Sequence, residues 1–212
     1  MSLPFHGLLP WHSFVVAEGM NTLFAIEPKG PPGFRYFPEF ISARQEEELI
    51  NLIAQTELRA MQFHGYEAKR KVSSFGYDWS FEKRVLSKGR QIPESFYWLL
   101  ERVAEKLQIN VEKFAELLLT EYPVASVINW HRDAPPFDEI AGISLHSDCT
   151  MRFRPHQKAA QGRRAIITLP LERRSLYLIE GAARTDWEHS IPAVSNVRYS
   201  ITLRTLRHNP PV

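Results

Sequence analysis

Apolar residues recur every three or four positions over residues 43–56 and again over residues 93–108, which is the spacing of amphipathic helices. Ser42 and Gln45 stand in the capping-box arrangement before the first of these stretches. Pro93 suits the start of the second. The pattern therefore predicts two helices, each packed against a core.

Beyond about Leu117 the pattern changes to short β-rich runs that alternate with turns. The predicted strands cover residues 125–130, 140–145, 150–154, 165–169, 175–179 and 197–206. Short strands at regular spacing are typical of a sandwich or a barrel. The sequence thus predicts an α+β protein in which an N-terminal layer of helices and loops supports a C-terminal β-sandwich.

Composition narrows the class of protein. The chain has 212 residues and a formal net charge of +2, which fits one domain and permits a polyanionic partner without requiring one. Cys149 is the only cysteine, so a disulfide framework and a cysteine-based zinc cluster are excluded.

The sequence contains no apolar run of the roughly 20 residues that span a bilayer. Residues 1–33 have the composition of an irregular arm without a signal-peptide pattern. We expect a monomer without a membrane partner, in the cytoplasm or another reducing intracellular compartment.

The histidines point to a metal site. His131 and Asp133 are two residues apart, so in an extended chain they point to the same side. His189 is a candidate third ligand. Two histidines and one carboxylate form the facial triad of non-haem iron(II) oxygenases, which leaves positions open for a bidentate co-substrate and dioxygen. The same spacing recurs in His146 and Asp148, so the pattern alone does not decide between the two pairs.

The last predicted strand, residues 197–206, carries an unusual polar face. Arg198, Ser200, Thr202 and Arg204 alternate with apolar residues and share one side of the strand. If that side faces a barrel interior, the arginines need anions. The strand between them covers about 20 Å, and because the two long side chains can lean toward each other, a short dicarboxylate fits between their guanidinium groups. The alternative is an exposed edge strand with solvated arginines.

Taken together, these motifs resemble the AlkB family of dioxygenases. The family combines the HxD pair, a distal histidine and a pair of arginines separated by five residues, and these correspond to His131, Asp133, His189, Arg198 and Arg204. The runs 173–181 and 183–189 resemble the family segment that holds the distal histidine, which favours His131 over His146 because His146 falls within a family strand. The segment 119–123 resembles the family's N-x-Y-x-P motif, with Thr120 in place of Asn. The resemblance covers about residues 34–206.

The resemblance implies a double-stranded β-helix (jelly-roll) core with N-terminal supporting helices and a nucleotide-recognition lid. Residues 34–212 are then a single dioxygenase domain, with the helical layer and lid in 34–115 and the core in 116–212. It also implies Fe(II), 2-oxoglutarate and O2 as cofactor and co-substrates. 2-Oxoglutarate is oxidised to succinate while a substrate C–H bond is hydroxylated, and an N-methyl group treated in this way leaves as formaldehyde. In the implied site, iron is bound by His131, Asp133 and His189, and 2-oxoglutarate by Arg198, Arg204, Ser200 and Tyr122.

The substrate implied by the resemblance is an alkylated or modified base in DNA or RNA. Candidate contacts combine basic residues for phosphates with aromatic residues for bases, and they are Lys69, Arg70, Lys71, Phe75, Tyr77, Trp79 and Arg184. DNA-repair members often carry an acidic residue where this chain has Pro135. That difference resembles relatives outside the repair group, including those that act on tRNA. Arg152 and Arg154 are interpreted as a solvated strand face.

Other functions remain open from the sequence. One is a hydroxylase of modified tRNA, a protein or a small molecule, and release of formaldehyde distinguishes it from a demethylase. Another is a cupin-like metal-binding module without catalytic activity, which the arginine pair disfavours. A purely structural β-sandwich is disfavoured by the triad and the arginines together.

Overall fold

The computed structural model describes residues 30–63 and 66–208, and for residues 62, 63 and 66 it describes the backbone alone. The predicted arm therefore lies outside the described residues, apart from its end at residues 30–33. The helices are α1 (Ala43–Ala54), α2 (Tyr97–Leu107) and α3 (Gly181–Thr185). The strands are β1 (Phe34–Phe37), β2 (Arg59–Phe63), β3 (Tyr66–Ser80), β4 (Val85–Lys88), β5 (Phe114–Tyr122), β6 (Ile128–His131), β7 (Phe137–Leu145), β8 (Cys149–Pro155), β9 (Ile167–Leu171), β10 (Leu176–Ile179), β11 (Trp187–Ile191) and β12 (Arg198–Leu206).

Two antiparallel sheets form the jelly-roll core. The large sheet has eight strands in the order β1-β10-β7-β12-β5-β3-β2, with β4 paired to β3. The small sheet has four strands in the order β6-β11-β8-β9. Strand β12 lies in the middle of the large sheet between β5 and β7. The predicted alternative of an exposed edge strand is therefore wrong.

Helices α1 and α2 cover one face of the large sheet. Ser42 caps α1 with the predicted capping box. The apolar faces of the two helices, including Leu49 and Val103, pack in one buried cluster with Ile201 and Leu203 of β12. Burial of this apolar surface favours the fold by roughly 25 cal/mol per Å². It also directs the polar face of β12 away from the helices.

A second apolar cluster lies on the opposite side of the large sheet, toward the small sheet. It includes Phe137 of β7, Phe153 of β8, Leu171 of β9 and Tyr177 of β10. The functional residues of β12 and of the small sheet lie on this side, so the two sheets together frame the site. Among the described residues, none of the helices combines the length and the apolar character needed to cross a bilayer.

Both predicted helices and all predicted strand regions correspond to elements of the fold, with ends shifted by a few residues. The sequence did not predict β5 or β11 as strands. Both carry glutamates that interrupt an apolar alternation, Glu116 in β5 and Glu188 in β11. Each has an arginine partner on another strand, Arg204 and Arg154 respectively, and such pairing depends on the tertiary fold.

Candidate metal centre

Strands β6 and β11 bring two histidines together. Their antiparallel register pairs His189 with His131, and the two ring centroids are 4.3 Å apart. Asp133 follows β6 directly in the chain. One ligand atom from each of His131, Asp133 and His189 lies within 4.8 Å of the others. The structure thus brings the three predicted metal ligands to one place.

The carboxylate of Asp133 is held on one side and left unpaired on the other. Its Oδ1 accepts hydrogen bonds from Nη2 of Arg204 at 2.8 Å and from Nε of the same residue at 3.2 Å. Its Oδ2 lies 3.6 Å from Nε2 of His189 and is buried without a hydrogen-bond partner among the described residues. Because a buried carboxylate oxygen is costly unless paired, this atom is suited to a cation.

The imidazole of His131 is oriented by its own strand. Its Nδ1 lies 2.9 Å from the carbonyl oxygen of Asn129, so this nitrogen carries the proton and donates it. Nε2 keeps a free lone pair for a metal, as is usual for metal-bound histidines. Burial lowers the pKa of His131 and lowers that of His189 to about 3. Both rings are therefore neutral at pH 7 and able to coordinate.

The aspartate carries the opposite charge. Burial by itself raises the pKa of Asp133, but Arg204 and the two histidines outweigh burial and hold that pKa well below its ordinary value. The cluster thus offers two neutral nitrogen donors and one ionised oxygen donor. That donor set fits the facial triad of Fe(II) oxygenases, and the cysteine ligands of structural zinc sites are absent from it.

Glu116 on β5 and Arg204 on β12 support the metal ligand Asp133 from the large sheet. They lie opposite each other in the β12–β5 register, and Arg204 Nη1 donates to Glu116 Oε2 at 2.5 Å. Glu116 is 3% exposed and also accepts a hydrogen bond from Ser74. Arg204 is therefore fixed between two carboxylates, those of Glu116 and Asp133. Sequence reasoning missed Glu116, since only the strand register shows that it lies opposite Arg204.

Arg184 has a different position from the one predicted. It is 4% exposed, and its Nη2 donates to the backbone carbonyls of Asp133, Ala134 and Phe137. These contacts hold the loop that carries the metal ligand. Arg184 is thus better explained as a brace for this loop than as a contact for substrate.

Arg198 lies on β12 beside the ring of Tyr122. It is fully buried, its Nη2 and Nε donate to Oγ of Ser144 at 3.2 and 3.3 Å, and its Cζ lies 4.8 Å from the centre of the Tyr122 ring. Its Nη1 is buried and has no hydrogen-bond partner among the described residues. The Tyr122 hydroxyl is 3.2 Å from Oγ of Ser200. A buried guanidinium with an unused donor is suited to a carboxylate.

A cavity of about 760 Å³ opens above the cluster. Its walls include all three metal ligands, Tyr122 and Arg204. Two of the predicted substrate residues, Arg70 and Trp79 of β3, also line it. The guanidinium of Arg70 contacts the Met61 sulfur at 2.7 and 3.1 Å, and burial lowers its pKa.

The remaining predicted lid residues do not line this cavity. Phe75 is buried in the cluster under the helices, with Arg90 stacked on its ring. Lys71 is paired with Glu121 at 3.1 Å, and Lys69 shares its side of β3 because side chains alternate along a strand. Tyr77 lines a separate cavity. None of these four side chains lines the cavity, so their contact with substrate stays a prediction.

The second HxD pair has a structural role. His146 is exposed in a turn, with a positive φ of 73°, and its ring contacts Tyr199 at 5.8 Å. Asp148 accepts a hydrogen bond from the backbone nitrogen of Arg173. Neither residue belongs to the metal cluster, which agrees with the predicted preference for His131.

Comparisons with known proteins agree with this geometry. Residues 33–209 match the model of the 2OG-Fe(II) oxygenase superfamily. The tRNA (carboxymethyluridine(34)-5-O)-methyltransferase ALKBH8 of Mus musculus is 30% identical over 76% of this chain and 24% of its own length. The alkylated DNA repair protein ALKBH8 homolog of Arabidopsis thaliana is 27% identical over 84% of this chain and 60% of its own length. This chain therefore spans less than two thirds of either relative.

A solved structure shows the same fold. The structure of OsALKBH1 superposes with a TM-score of 0.65 at 13% identity, covering 84% of this chain and 98% of that one. At this identity the likeness concerns the arrangement of the sheets and helices.

Proposed function

This chain belongs to the 2OG-Fe(II) oxygenase superfamily as an AlkB-type dioxygenase, and on that premise we propose that it oxidises a C–H bond on an alkylated or modified base of a nucleic acid. The observation that carries the proposal is the cluster of His131, Asp133 and His189 at the floor of a cavity large enough for a base. Arg70 and Trp79, which lie in the wall of that cavity, would contact the base.

The described residues fit the metal that the family uses. His131, Asp133 and His189 would hold Fe(II), because two neutral imidazoles and the unpaired Oδ2 of Asp133 converge. When bound, Fe(II) activates dioxygen as 2-oxoglutarate is converted to succinate and carbon dioxide. Arg204 keeps Asp133 ionised and fixes its orientation. Asn129 keeps Nδ1 of His131 protonated, so that Nε2 remains the donor.

Arg198 is the residue that we propose for the distal carboxylate of 2-oxoglutarate. Its Nη1 is buried without a hydrogen-bond partner among the described residues, and Ser144 and Tyr122 hold the rest of the guanidinium group in place. The Tyr122 hydroxyl and Ser200 are hydrogen-bonded to each other and would assist. Arg204 would give a second contact from the metal side, although its donors already bind two carboxylates.

The reaction proposed for an N-methylated base is demethylation. Trp79 offers an aromatic ring for stacking, and Arg70 offers hydrogen bonds to acceptor atoms of the base or to a phosphate. Packing of the base against these walls would exclude water from the C–H bond that is oxidised. The hydroxylated N-methyl carbon then leaves as formaldehyde.

A second candidate is hydroxylation of a modified nucleotide in tRNA without loss of carbon. It is favoured by the relatives from Mus musculus and Macaca fascicularis, whose names state action on tRNA carboxymethyluridine. Pro135 also favours it, because an acidic residue is frequent at this place in DNA-repair members. Hydroxylation at a carbon bonded only to carbon gives a stable alcohol, so this candidate predicts no formaldehyde.

The two candidates are separated by measuring both products. The protein, with Fe(II) and ascorbate, is incubated with 2-oxoglutarate and a panel of methylated DNA and RNA oligonucleotides and modified tRNA. Succinate with an equal amount of formaldehyde identifies a demethylase, whereas succinate with a hydroxylated base identifies the tRNA hydroxylase. His131→Ala should abolish both products, and His146→Ala, from the second HxD pair, should retain them. Substrate-stimulated succinate from the His131→Ala variant would contradict the metal assignment.

A further inference from the structure

The outer face of the small sheet carries an aromatic residue flanked by two arginines. Trp130 lies on β6, and the Cζ atoms of Arg152 and Arg154 on β8 are 5.1 and 4.6 Å from the centre of its ring. Strand β11 lies between β6 and β8. Ser190 on β11 lies opposite Arg152 in the register, and this small side chain allows the guanidinium to reach across to Trp130.

The stretch of chain that contains β8 and β9 carries positive and no negative side chains. Residues 149–171 contain five arginines and lysines and no aspartate or glutamate. Besides the two arginines on β8, the basic residues are Lys158, Arg163 and Arg164, all exposed. From the neighbouring strand β11, Glu188 faces the group and pairs with Arg154 and His156. Arg152 has the Ser190 hydroxyl as its hydrogen-bond acceptor and no carboxylate partner among the described residues.

The charge pattern differs from that of a merely solvated strand face, which was the sequence-based interpretation. Soluble surfaces normally intersperse charges of both signs. Here two guanidinium groups converge on one ring, and like charges that converge are stabilised by a bound anion. Aromatic rings beside guanidinium groups are the combination that single-stranded nucleic acids contact, with phosphates on arginine and bases on the ring.

The basic face lies next to the metal centre along the chain, because both include residues of β6. Trp130 directly precedes the metal ligand His131 on β6, and successive side chains of a strand point to opposite faces. The metal ligand His131 and the basic face at Trp130 therefore lie on opposite sides of β6. A nucleic acid that places one base in the cavity has its flanking phosphates outside it.

We propose that Trp130, Arg152 and Arg154, together with Lys158, Arg163 and Arg164 of the segment that joins β8 to β9, form a basic face that is a docking surface for the phosphate backbone of a single-stranded nucleic acid. The inference rests on the proposed action on nucleic acid and adds a binding surface outside the catalytic cavity. It predicts that affinity for an oligonucleotide depends on charges that do not contact the oxidised base.

The test measures binding separately from oxidation. Fluorescence anisotropy follows labelled, unmodified single-stranded RNA and DNA of about 15 nucleotides, near the upper end of the site sizes of single binding domains. The titrations are repeated between 50 and 200 mM salt with the wild type and with the Arg152→Gln/Arg163→Gln/Arg164→Gln variant. The matched control is Arg44→Gln/Lys106→Gln/Lys113→Gln, which removes three exposed charges from the helical side.

For single strands the salt slope changes by about 0.7 for each phosphate contact. The first variant should therefore bind more weakly, with a slope smaller by about 2, and the control variant should bind like the wild type. A wild-type slope in the Arg152 variant would overturn the proposal. So would equal competition by polyglutamate, because the surface would then not distinguish a nucleic acid from an acidic peptide.

The failure of this proposal is distinguishable from failure of the proposed function. Succinate formation from 2-oxoglutarate without nucleic acid, and on free modified nucleosides, depends on the cavity alone. It should be the same in the Arg152 variant as in the wild type. Loss of oligonucleotide binding with intact turnover supports the docking surface, and equal loss of both indicates damage to the fold and overturns the assignment.

Discussion

Arg204 Nη2 donates a hydrogen bond of 2.8 Å to Oδ1 of Asp133, whereas Oδ2 of the same carboxylate lies 3.6 Å from Nε2 of His189. The arginine thus determines which lone pairs of the carboxylate remain for a metal. The sequence predicted that Arg204 binds 2-oxoglutarate, and this stays a prediction. The contacts of the structure give it a positioning role at the metal ligand.

Replacement of Arg204 should therefore weaken metal binding. Arg204→Gln removes the charge that holds Asp133 ionised and in place, and loss of such a supporting contact typically costs about 10- to 100-fold in metal affinity. Titration with Mn(II) or Co(II), followed by calorimetry or absorbance, measures the effect without turnover. Arg44→Gln, at an exposed arginine of α1, should leave metal affinity unchanged. Equal affinities in Arg204→Gln and the wild type would show that Asp133 is positioned without the arginine.

The two glutamates of β5 should differ in their effect on stability. Glu116 is buried and paired with Arg204, whereas Glu121 forms an exposed pair with Lys71. Removing one partner of a buried pair costs about 3–5 kcal/mol, and removing one of an exposed pair about 0–1 kcal/mol. Glu116→Ala should thus lower the free energy of unfolding in urea far more than Glu121→Ala. Similar losses in the two variants would mean that the buried pair does not stabilise the fold.

Arg198 should control the affinity for 2-oxoglutarate. Arg198→Lys keeps the positive charge but loses the planar group that stacks on Tyr122 and binds Ser144. The KM for 2-oxoglutarate should rise about tenfold or more, as expected for loss of a charge-assisted hydrogen bond, and kcat should fall less. Arg35→Lys, in a half-exposed pair with Glu180, is the control and should keep the wild-type KM. If Arg198→Lys also keeps it, the distal carboxylate binds elsewhere.

Sequence reasoning reached the metal centre because its signals are local. His131 and Asp133 are only two residues apart, at the end of β6 and just beyond it, and the polar face of β12 follows from alternation along that strand. The facing of β3 could not be predicted, since alternation gives two faces but does not tell which one lies under α1 and α2. Phe75 and Lys71 were therefore predicted as substrate contacts, although neither lines the cavity. Glu116 and Ser144 escaped prediction because their roles depend on the register between β5, β7 and β12.

Gly142 and Tyr177 provide a test of how the cavity wall is packed. They face each other in the β10–β7 register, and a Cβ atom at Gly142 would lie 2.1 Å from Cζ of the tyrosine ring. Because this ring cannot fold aside as a flexible chain can, Gly142→Ala should lower the free energy of unfolding by about 1–3 kcal/mol. Gly162→Ala, where a Cβ meets no atom within 4 Å, should change it by less than about 0.5 kcal/mol. In a Tyr177→Leu background the loss of unfolding free energy caused by Gly142→Ala should be smaller, because the clashing ring is gone. Denaturant unfolding of the wild type, the Gly142→Ala and Tyr177→Leu variants and the double variant measures this coupling. An unchanged cost in that background would place the conflict in the backbone and leave the ring without a role in requiring glycine.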